Sequence, residues 1–480
     1  MKIINYFVFA CFTRTPRFLQ AMMTCGVLLL LTPSAFAGPD IQTWTTDKGL
    51  RVYFVAAPQL PMLDIRLTFA AGGVRDGEQA GLAMMTSSSM NDGAGGLSAD
   101  QLAEAFESVG AIYGGGSARD MAWFSLRTLT LEAEKKTALA TWLKVIGQPE
   151  FPEKEFKNAQ KLALVGLQAE KQSPGAIGNK AFMQALYGDH PYASPEDGTE
   201  ESIAALTTEQ LKAFYKQYYV ARNGVLAIVG AVDRQQAEAL AEQVSAVLDE
   251  GKRAAKIPEV QPLAAARTIH IPFPSQQAHI MMGQPGNKRG DEDYFSLYLG
   301  NQILGGSGFT ARLTKEIRDK RGLSYSVYSY FSPMEQFGPF QIGLQTKLSQ
   351  TDEALTVAQE TLKTYRAEGP SDNELGAAKK DITGGFPLRT ASNSNIISYL
   401  AMIGFYDLPL DYLDTFTGKV EAISQEQIVD AFQRRLDPDK MLTVIVGGEE
   451  KKDETTTDAT DSAESSESDE SGEAAKPASE

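Results

Sequence analysis

Cysteine and histidine are both scarce in this 480-residue chain. Cysteine occurs only as Cys11 and Cys25, and histidine only as His190, His270 and His279. Both cysteines fall in the N-terminal leader, so a mature chain would carry no disulfide framework and no thiol chemistry. No two histidines stand three or four residues apart, the spacing with which a helix presents paired metal ligands. His190 lies in YGDHPY, which reads as a loop, and His270 and His279 flank a strand-like start to the second half and read as structural. Long apolar runs are missing as well. The run Met22 to Leu31 is shorter than the roughly 20 residues a membrane span requires, and no other stretch is apolar enough to cross a bilayer. Positive charge is also in deficit: 45 Lys and Arg against 61 Asp and Glu give a net charge of −16. That balance argues against nucleic-acid binding.

Some of these absences are local. Lys2, Arg14 and Arg17 precede the apolar run, and Ala35-Phe36-Ala37 is an A-x-A cleavage signature followed by Gly38. The first 37 residues therefore read as a signal peptide cleaved near Ala37, and the mature chain is expected in the periplasm. Residues 449–480 hold twelve acids and three lysines, and apart from Pro477 no apolar residue larger than Ala. Such a segment buries too little to offset the entropy of ordering and is expected to be a disordered acidic tail.

Between leader and tail the chain repeats. EQLKAFYKQYYVARNGVLAIVG at 209–230 aligns without a gap to EQIVDAFQRRLDPDKMLTVIVG at 426–447, an offset of 217 residues. Each copy reads as an amphipathic helix, a turn and a buried apolar strand. FPEKEF at 151–156 echoes GPSDNEL at 369–375, and the region from Gly81 to Leu129 echoes 304–345. A unit near 200 residues is far longer than the roughly 20–50 residues of a solenoid repeat. The expectation is two homologous domains, 38–250 and 267–448, joined by the polar, alanine-rich linker 251–266. With 43% hydrophobic residues each has enough for a core. The run Gly114 to Ser117, GGGS, lacks the Lys and following helix of a phosphate-binding loop and reads as a turn.

The most informative stretch is 304–330, LGGSGFTARLTKEIRDKRGLSYSVYSY. Phe309, Leu313 and Ile317 recur every four residues and predict one apolar helix face. Gly322 sits where a helix closes in the left-handed conformation, and Ser324 to Tyr330 alternate as a strand does. The chain doubles back, so Arg318 and Tyr325 point toward a common space. There both can donate hydrogen bonds to a carbonyl oxygen. Spacing alone equally admits Arg318 as a helix C-terminal cation and Tyr325 as a core aromatic.

This run resembles the C-terminal half of pitrilysin/insulinase-type zinc metallopeptidases, the inverzincins. On that resemblance Arg318 and Tyr325 match the family's substrate-binding pair. The family's zinc helix carries H-x-x-E-H, two ligands and a base. Here the matching run is Gly81-Leu82-Ala83-Met84-Met85-Thr86-Ser87-Ser88-Ser89-Met90, with Met84 and Ser88 at the ligand positions and Ser87 at the base. The third ligand, a downstream Glu, would fall within Leu162 to Leu167, which contains no acid. A thioether and two hydroxyls do not replace two imidazoles and a carboxylate around zinc.

The resemblance covers about 45–450. It implies an α+β fold of two homologous domains, each a mainly antiparallel sheet with helices packed on one face. It also implies the bacterial two-chain arrangement. This chain would be the non-catalytic, substrate-binding subunit of a heteromeric zinc metallopeptidase, inactive alone and contributing Arg318 and Tyr325. A homologous partner would carry the zinc, and no cofactor is expected on this chain. The alternative is a non-enzymatic peptide-binding or assembly protein that keeps the fold.

Overall fold

The computed structural model describes residues 38–448. The leader with its cleavage site and the acidic tail lie outside the described residues. The N-terminal half opens with β1 (Gln42–Thr45), β2 (Arg51–Ala56) and β3 (Met62–Phe69). A short helix α1 (Leu82–Ser89) follows, then a two-residue ribbon β4 (Gly93–Ala94) and β5 (Leu97–Ser98), and helix α2 (Ala99–Glu107). The hairpin β6 (Ile112–Ser117) and β7 (Ala122–Leu129) leads into the helices α3 (Glu132–Gly147), α4 (Glu153–Glu170), α5 (Pro174–Tyr187), α6 (Glu200–Ala205) and α7 (Thr208–Tyr218). Strand β8 (Gly224–Gly230) and helix α8 (Arg234–Ala246) close the half. Residues 251–266 contain no helix or strand.

The C-terminal half repeats the plan. Strands β9 (Arg267–Ile271) and β10 (Gln277–Pro285) precede α9 (Tyr294–Asn301), and β11 (Ser324–Phe331) and β12 (Pro339–Lys347) form the hairpin. Then come α10 (Thr351–Glu368), α11 (Asp372–Arg389), α12 (Asn393–Phe405), α13 (Tyr412–Ala422), α14 (Gln425–Arg435) and β13 (Leu442–Val446). The sheet orders are β1-β2-β8-β3-β7-β6 and, read in the same sense, β9-β13-β10-β12-β11. In each sheet one pair is parallel, β2 with β8 and β9 with β13, and every other pair is antiparallel. The chain is thus α+β, with the antiparallel-dominated sheets that the resemblance implies. The repeated segments occupy matched places, because α7–β8 and α14–β13 are the two copies of the helix–turn–strand unit.

The GGGS run is a correction to the sequence reading: it is not a turn but part of edge strand β6, paired with β7. The glycines allow close packing of the two strands. A Cβ on Gly115 would meet the Phe124 ring at 2.8 Å, and one on Gly116 would meet Trp123 at 2.9 Å.

Each half also lends a helix to the other. In the N-terminal sheet Val52 and Phe54 pack with the helices of their own half. The opposite face, with Tyr53, Val55, Val225, Ala227 and Val229, joins Leu400, Ala401 and Ile403 of α12. Reciprocally, Phe182 and Leu186 of α5 pack with Met281, Val444 and Val446 of the C-terminal sheet. Glycine permits both contacts. A Cβ on Gly404 would lie 2.5 Å from Tyr53, and one on Gly178 would lie 2.9 Å from Met281. Sheets covered on both faces explain why β8 and β13 are buried at every residue and read as continuous apolar runs. No helix among the described residues is long and apolar enough to cross a membrane.

Candidate peptide-binding site and a zinc position without ligands

Helix α1 begins after Gly81, which takes φ 87°. The helix is held at its start by Asp76. The two carboxylate oxygens of Asp76 accept from the backbone N–H groups of Gly81 and Ala83, each at 2.8 Å. Asp76 is buried, and burial pushes its carboxyl up to about 7 despite these bonds. The three positions singled out in the sequence lie on this helix. Ser87 Oγ donates to the Met84 carbonyl at 3.0 Å, and Ser88 Oγ donates to the Met85 carbonyl at 3.2 Å. Both hydroxyls are therefore turned back onto their own helix. Across from α1, helix α4 presents Leu162 and Val165 to solvent, 73% and 66% exposed. Met84, Met85 and Ser88 share a cavity of about 650 Å³ with Leu162, Ala163 and Leu167. Asp92, Glu155, Glu170 and Asp197 also line this cavity, but the three aligned positions themselves offer neither imidazole nor carboxylate and do not fit a zinc ion. Among the described residues no group of three or more His, Cys, Asp or Glu is gathered closely enough to hold a metal.

The three histidines stand apart. His190 caps a short 3₁₀ turn: its Nδ1 accepts from the Tyr192 N–H at 3.1 Å, so Nε2, 2.9 Å from the Pro258 carbonyl, is the donor. His270 and His279 lie on β9 and β10, and partial burial lowers the pKa of His279.

The second site is built from 302–331. After α9 the chain widens into a π-turn, Gln302–Gly306, that packs on β11. Gly305 makes this approach possible, since a Cβ there would sit 2.3 Å from Ser329 Oγ. Asn301 and Ser329 tie the two together, Ser329 Oγ donating to Asn301 Oδ1 at 2.7 Å and Asn301 Nδ2 to the Ser329 carbonyl at 3.0 Å.

The helix expected on the Phe309, Leu313 and Ile317 face differs from the reading above. Gly308 takes φ 62°, Gly308–Thr310 forms a 3₁₀ turn, and Thr314–Asp319 is wound as a π-helix closed by the Lys320 N–H on the Lys315 carbonyl at 3.0 Å. Leu313 and Ile317 are fully buried, as the periodicity predicts, but Phe309 is 73% exposed. The turn at Gly308 swings it off the apolar face. Gly322 takes φ 62° and closes the helix, its N–H on the Arg318 carbonyl at 2.8 Å.

Arg318 and Tyr325 are brought together. The Arg318 guanidinium lies 5.1 Å from the Tyr325 ring centroid and 4.7 Å from that of Phe309. Tyr325 is 86% exposed, which removes it from the core. A register shift between Ser324 and Val327 makes a β-bulge in β11, so Tyr325 and Ser326 are both exposed where strict alternation would bury one of them. Among the described residues Arg318 makes no ion pair. Its acidic neighbour Glu316 is engaged by Lys320 at 2.6 Å and Arg321 at 2.9 Å. The π-helix is further anchored to α11 by a two-pronged contact, Arg312 to Glu374 at 2.9 and 2.7 Å. Arginine between two rings with its N–H edge free is a hydrogen-bond donor fixed in place without a competing carboxylate.

The place of Phe309 over Arg318, the bulge and the Arg312–Glu374 clamp were not read from the sequence. Gly308 was the available sign for the first, because a glycine just inside a helical pattern marks a break.

Duplicated α+β halves, a helix position stripped of zinc ligands and a held Arg–Tyr pair define a peptidase-like protein with an inactive metal position. Comparison with known proteins agrees. The sequence model described as "Peptidase M16 inactive domain" matches residues 205–382. A crystal structure of a peptidase M16 inactive domain from Pseudomonas fluorescens is 42% identical, with a TM-score of 0.83, over 85% of this chain and 98% of that one. The chain belongs to the M16 peptidase family. A Helicobacter pylori relative named "Non-peptidase homolog YmxG" is 26% identical over 89% of this chain and 97% of its own. A Bacillus subtilis relative named "Uncharacterized zinc protease YmxG" is 24% identical over 84% and 98%. An uncharacterized zinc protease of Streptomyces coelicolor is 33% identical over 224 residues, which span 48% of that protein.

Proposed function

We propose that this chain is the non-hydrolytic, peptide-gripping subunit of a two-chain zinc peptidase of the periplasm. The observation that carries the reading is the contrast between the two sites. The zinc helix offers the thioether of Met84 and the hydroxyls of Ser87 and Ser88, which are committed to backbone carbonyls. Arg318, stacked with Phe309 and Tyr325, keeps its N–H groups uncommitted. A homologous partner supplies zinc, the general base and the activated water. Arg318 and Tyr325 donate to a peptide carbonyl, or to the oxyanion that develops from it, which is worth about 2–4 kcal/mol of barrier for a well-placed donor. An extended peptide suits the fold, since β6 and β11 each leave one edge unpaired in their sheets. The wording "non-peptidase homolog" for the Helicobacter relative favours a second reading, a peptide-binding or assembly protein with no hydrolytic role.

Reconstitution separates the two. The chain is mixed with the zinc-bearing homologue from the same organism and tested for complex formation and for cleavage of an unfolded peptide. Chelator-sensitive cleavage that requires both chains supports the gripping subunit. Cleavage by the homologue that is unchanged when this chain is added supports the assembly role.

A further inference from the structure

A polar cavity of about 520 Å³ lies where the two halves meet, and none of Phe309, Arg318 and Tyr325 lines it. Its lining runs against the charge of the chain. The protein carries −16, yet Arg51, Arg75, Arg253, Lys256 and Arg289 line this cavity against only two carboxylates, Glu335 and Asp407.

The cations are arranged and not merely crowded. Asp407, just past α12, takes φ 52°, a strained value for a non-glycine residue. In that conformation its single carboxylate holds both Arg51 and Arg253, the latter at 3.0 Å. Arg51 also donates to the Gly404 carbonyl at 3.0 Å. The backbone N–H of Ala254 donates to Asn223 Oδ1 at 2.9 Å, which fixes the 253–256 strand of lining. Arg75, Lys256 and Arg289 have no ion pair among the described residues. The Nε atoms of Arg75 and Arg289 are buried without a hydrogen-bond partner. Arg289 instead places one terminal nitrogen 3.3 Å from the Met402 sulfur and stacks 5.4 Å from the Tyr406 ring. Arg75, Lys256 and Arg289 thus bring charge to a polar void with no paired carboxylate among the described residues, an arrangement that suits an acceptor from outside the chain.

We propose that this cavity binds a small multivalent oxyanion, of the polyphosphate or polycarboxylate class. Guanidinium forks recognise such groups by paired hydrogen bonds. Arg51 and Arg75 come from the N-terminal half, Arg253 and Lys256 from the connecting segment and Arg289 from the C-terminal half. The anion therefore cross-links the two halves and stabilises their packing. The proposal is independent of the role of Arg318 and Tyr325.

The test uses the full chain and inorganic pyrophosphate as probe, followed by titration calorimetry at low and raised ionic strength. The expected result is one saturable site per chain that weakens with salt, together with a rise in melting temperature when pyrophosphate is present. Arg75→Gln and Arg289→Gln should each weaken binding about tenfold. Lys256→Gln, at an exposed position where folding is not at stake, should also weaken it severalfold. Lys212→Gln, which removes an exposed charge that does not line the cavity, should leave binding unchanged. Absence of a saturable site in the wild type, or affinity unchanged from wild type in Lys256→Gln and in the folded arginine variants, overturns the proposal.

Discussion

The guanidinium of Arg318 sits 5.1 Å from the ring of Tyr325, and Phe309 covers it from another side at 4.7 Å. Phe309 stabilises no core, being 73% exposed. Its use is to restrict the arginine. Phe309→Ala is expected to leave folding stability within about 0.5 kcal/mol, as surface changes do. It should also weaken peptide binding to the assembled complex, since a cation–π contact at an exposed site is worth about 0.5–1 kcal/mol. Urea unfolding and peptide titration check the two halves of the statement. A large stability loss would place Phe309 in a structural role instead.

Acid should loosen the π-helix. Hydrogen bonds from Arg312 hold the Glu374 carboxyl down at about 2, below its usual value of 4.5, against a desolvation that acts the other way. A depressed pKa stabilises the fold above the unfolded value and loses that contribution as pH falls from 4.5 through about 2. Glu374→Gln should cost about 1–2 kcal/mol at neutral pH, allowing for solvent screening. The difference between variant and wild type should shrink as pH drops through that window. Parallel pH dependence of the two proteins in denaturant titrations would contradict this.

The exchanged helices couple the halves. A Cβ at position 404 would press on Tyr53 at 2.5 Å and Val225 at 2.6 Å. Gly404→Ala gains about 1 kcal/mol of helix propensity but overpacks a buried crossing at a cost of typically 1–3 kcal/mol. The expected net effect is destabilisation seen alike by probes in both halves. An N-terminal fragment ending near residue 250 should fail to fold cooperatively, because the face of its sheet bearing Tyr53, Val225 and Val229 would lose α12. A fragment that unfolds cooperatively with native-like protection would show the halves to be independent.

The full chain, purified without a partner, should hold far less than one zinc per molecule after dialysis. Ser87 and Ser88 are bonded to helix carbonyls, and Leu162 and Val165 face solvent across from α1. Metal analysis by mass spectrometry checks this, and stoichiometric, tightly held zinc would refute it.

Much of the architecture was legible in the sequence, because periodicity reports burial directly. The repeated helix–turn–strand copies at 209–230 and 426–447 became α7–β8 and α14–β13 in matched places. The convergence of Arg318 and Tyr325 was legible for the same reason, since Gly322 fixes the reversal. Three things were not. The helix exchange was not read from the sequence: α5 and α12 were not singled out, and only tertiary packing says whose sheet they cover. The bulge at Ser324 to Val327 shifts register by backbone geometry that side-chain alternation conceals. The cationic cavity draws single residues from Arg51 to Arg289, too far apart in the chain for any motif to join.

The most direct measurement is kcat/KM for peptide cleavage by the proposed complex of this chain with a zinc-bearing homologue, carrying Arg318→Ala, Tyr325→Phe or both. Each single variant should assemble normally and lose about ten- to a thousandfold, mainly in kcat if the pair grips the transition state. The double variant should lose less than the product of the two, because both donors serve one carbonyl. Full activity in a stably assembled double variant would contradict the gripping role.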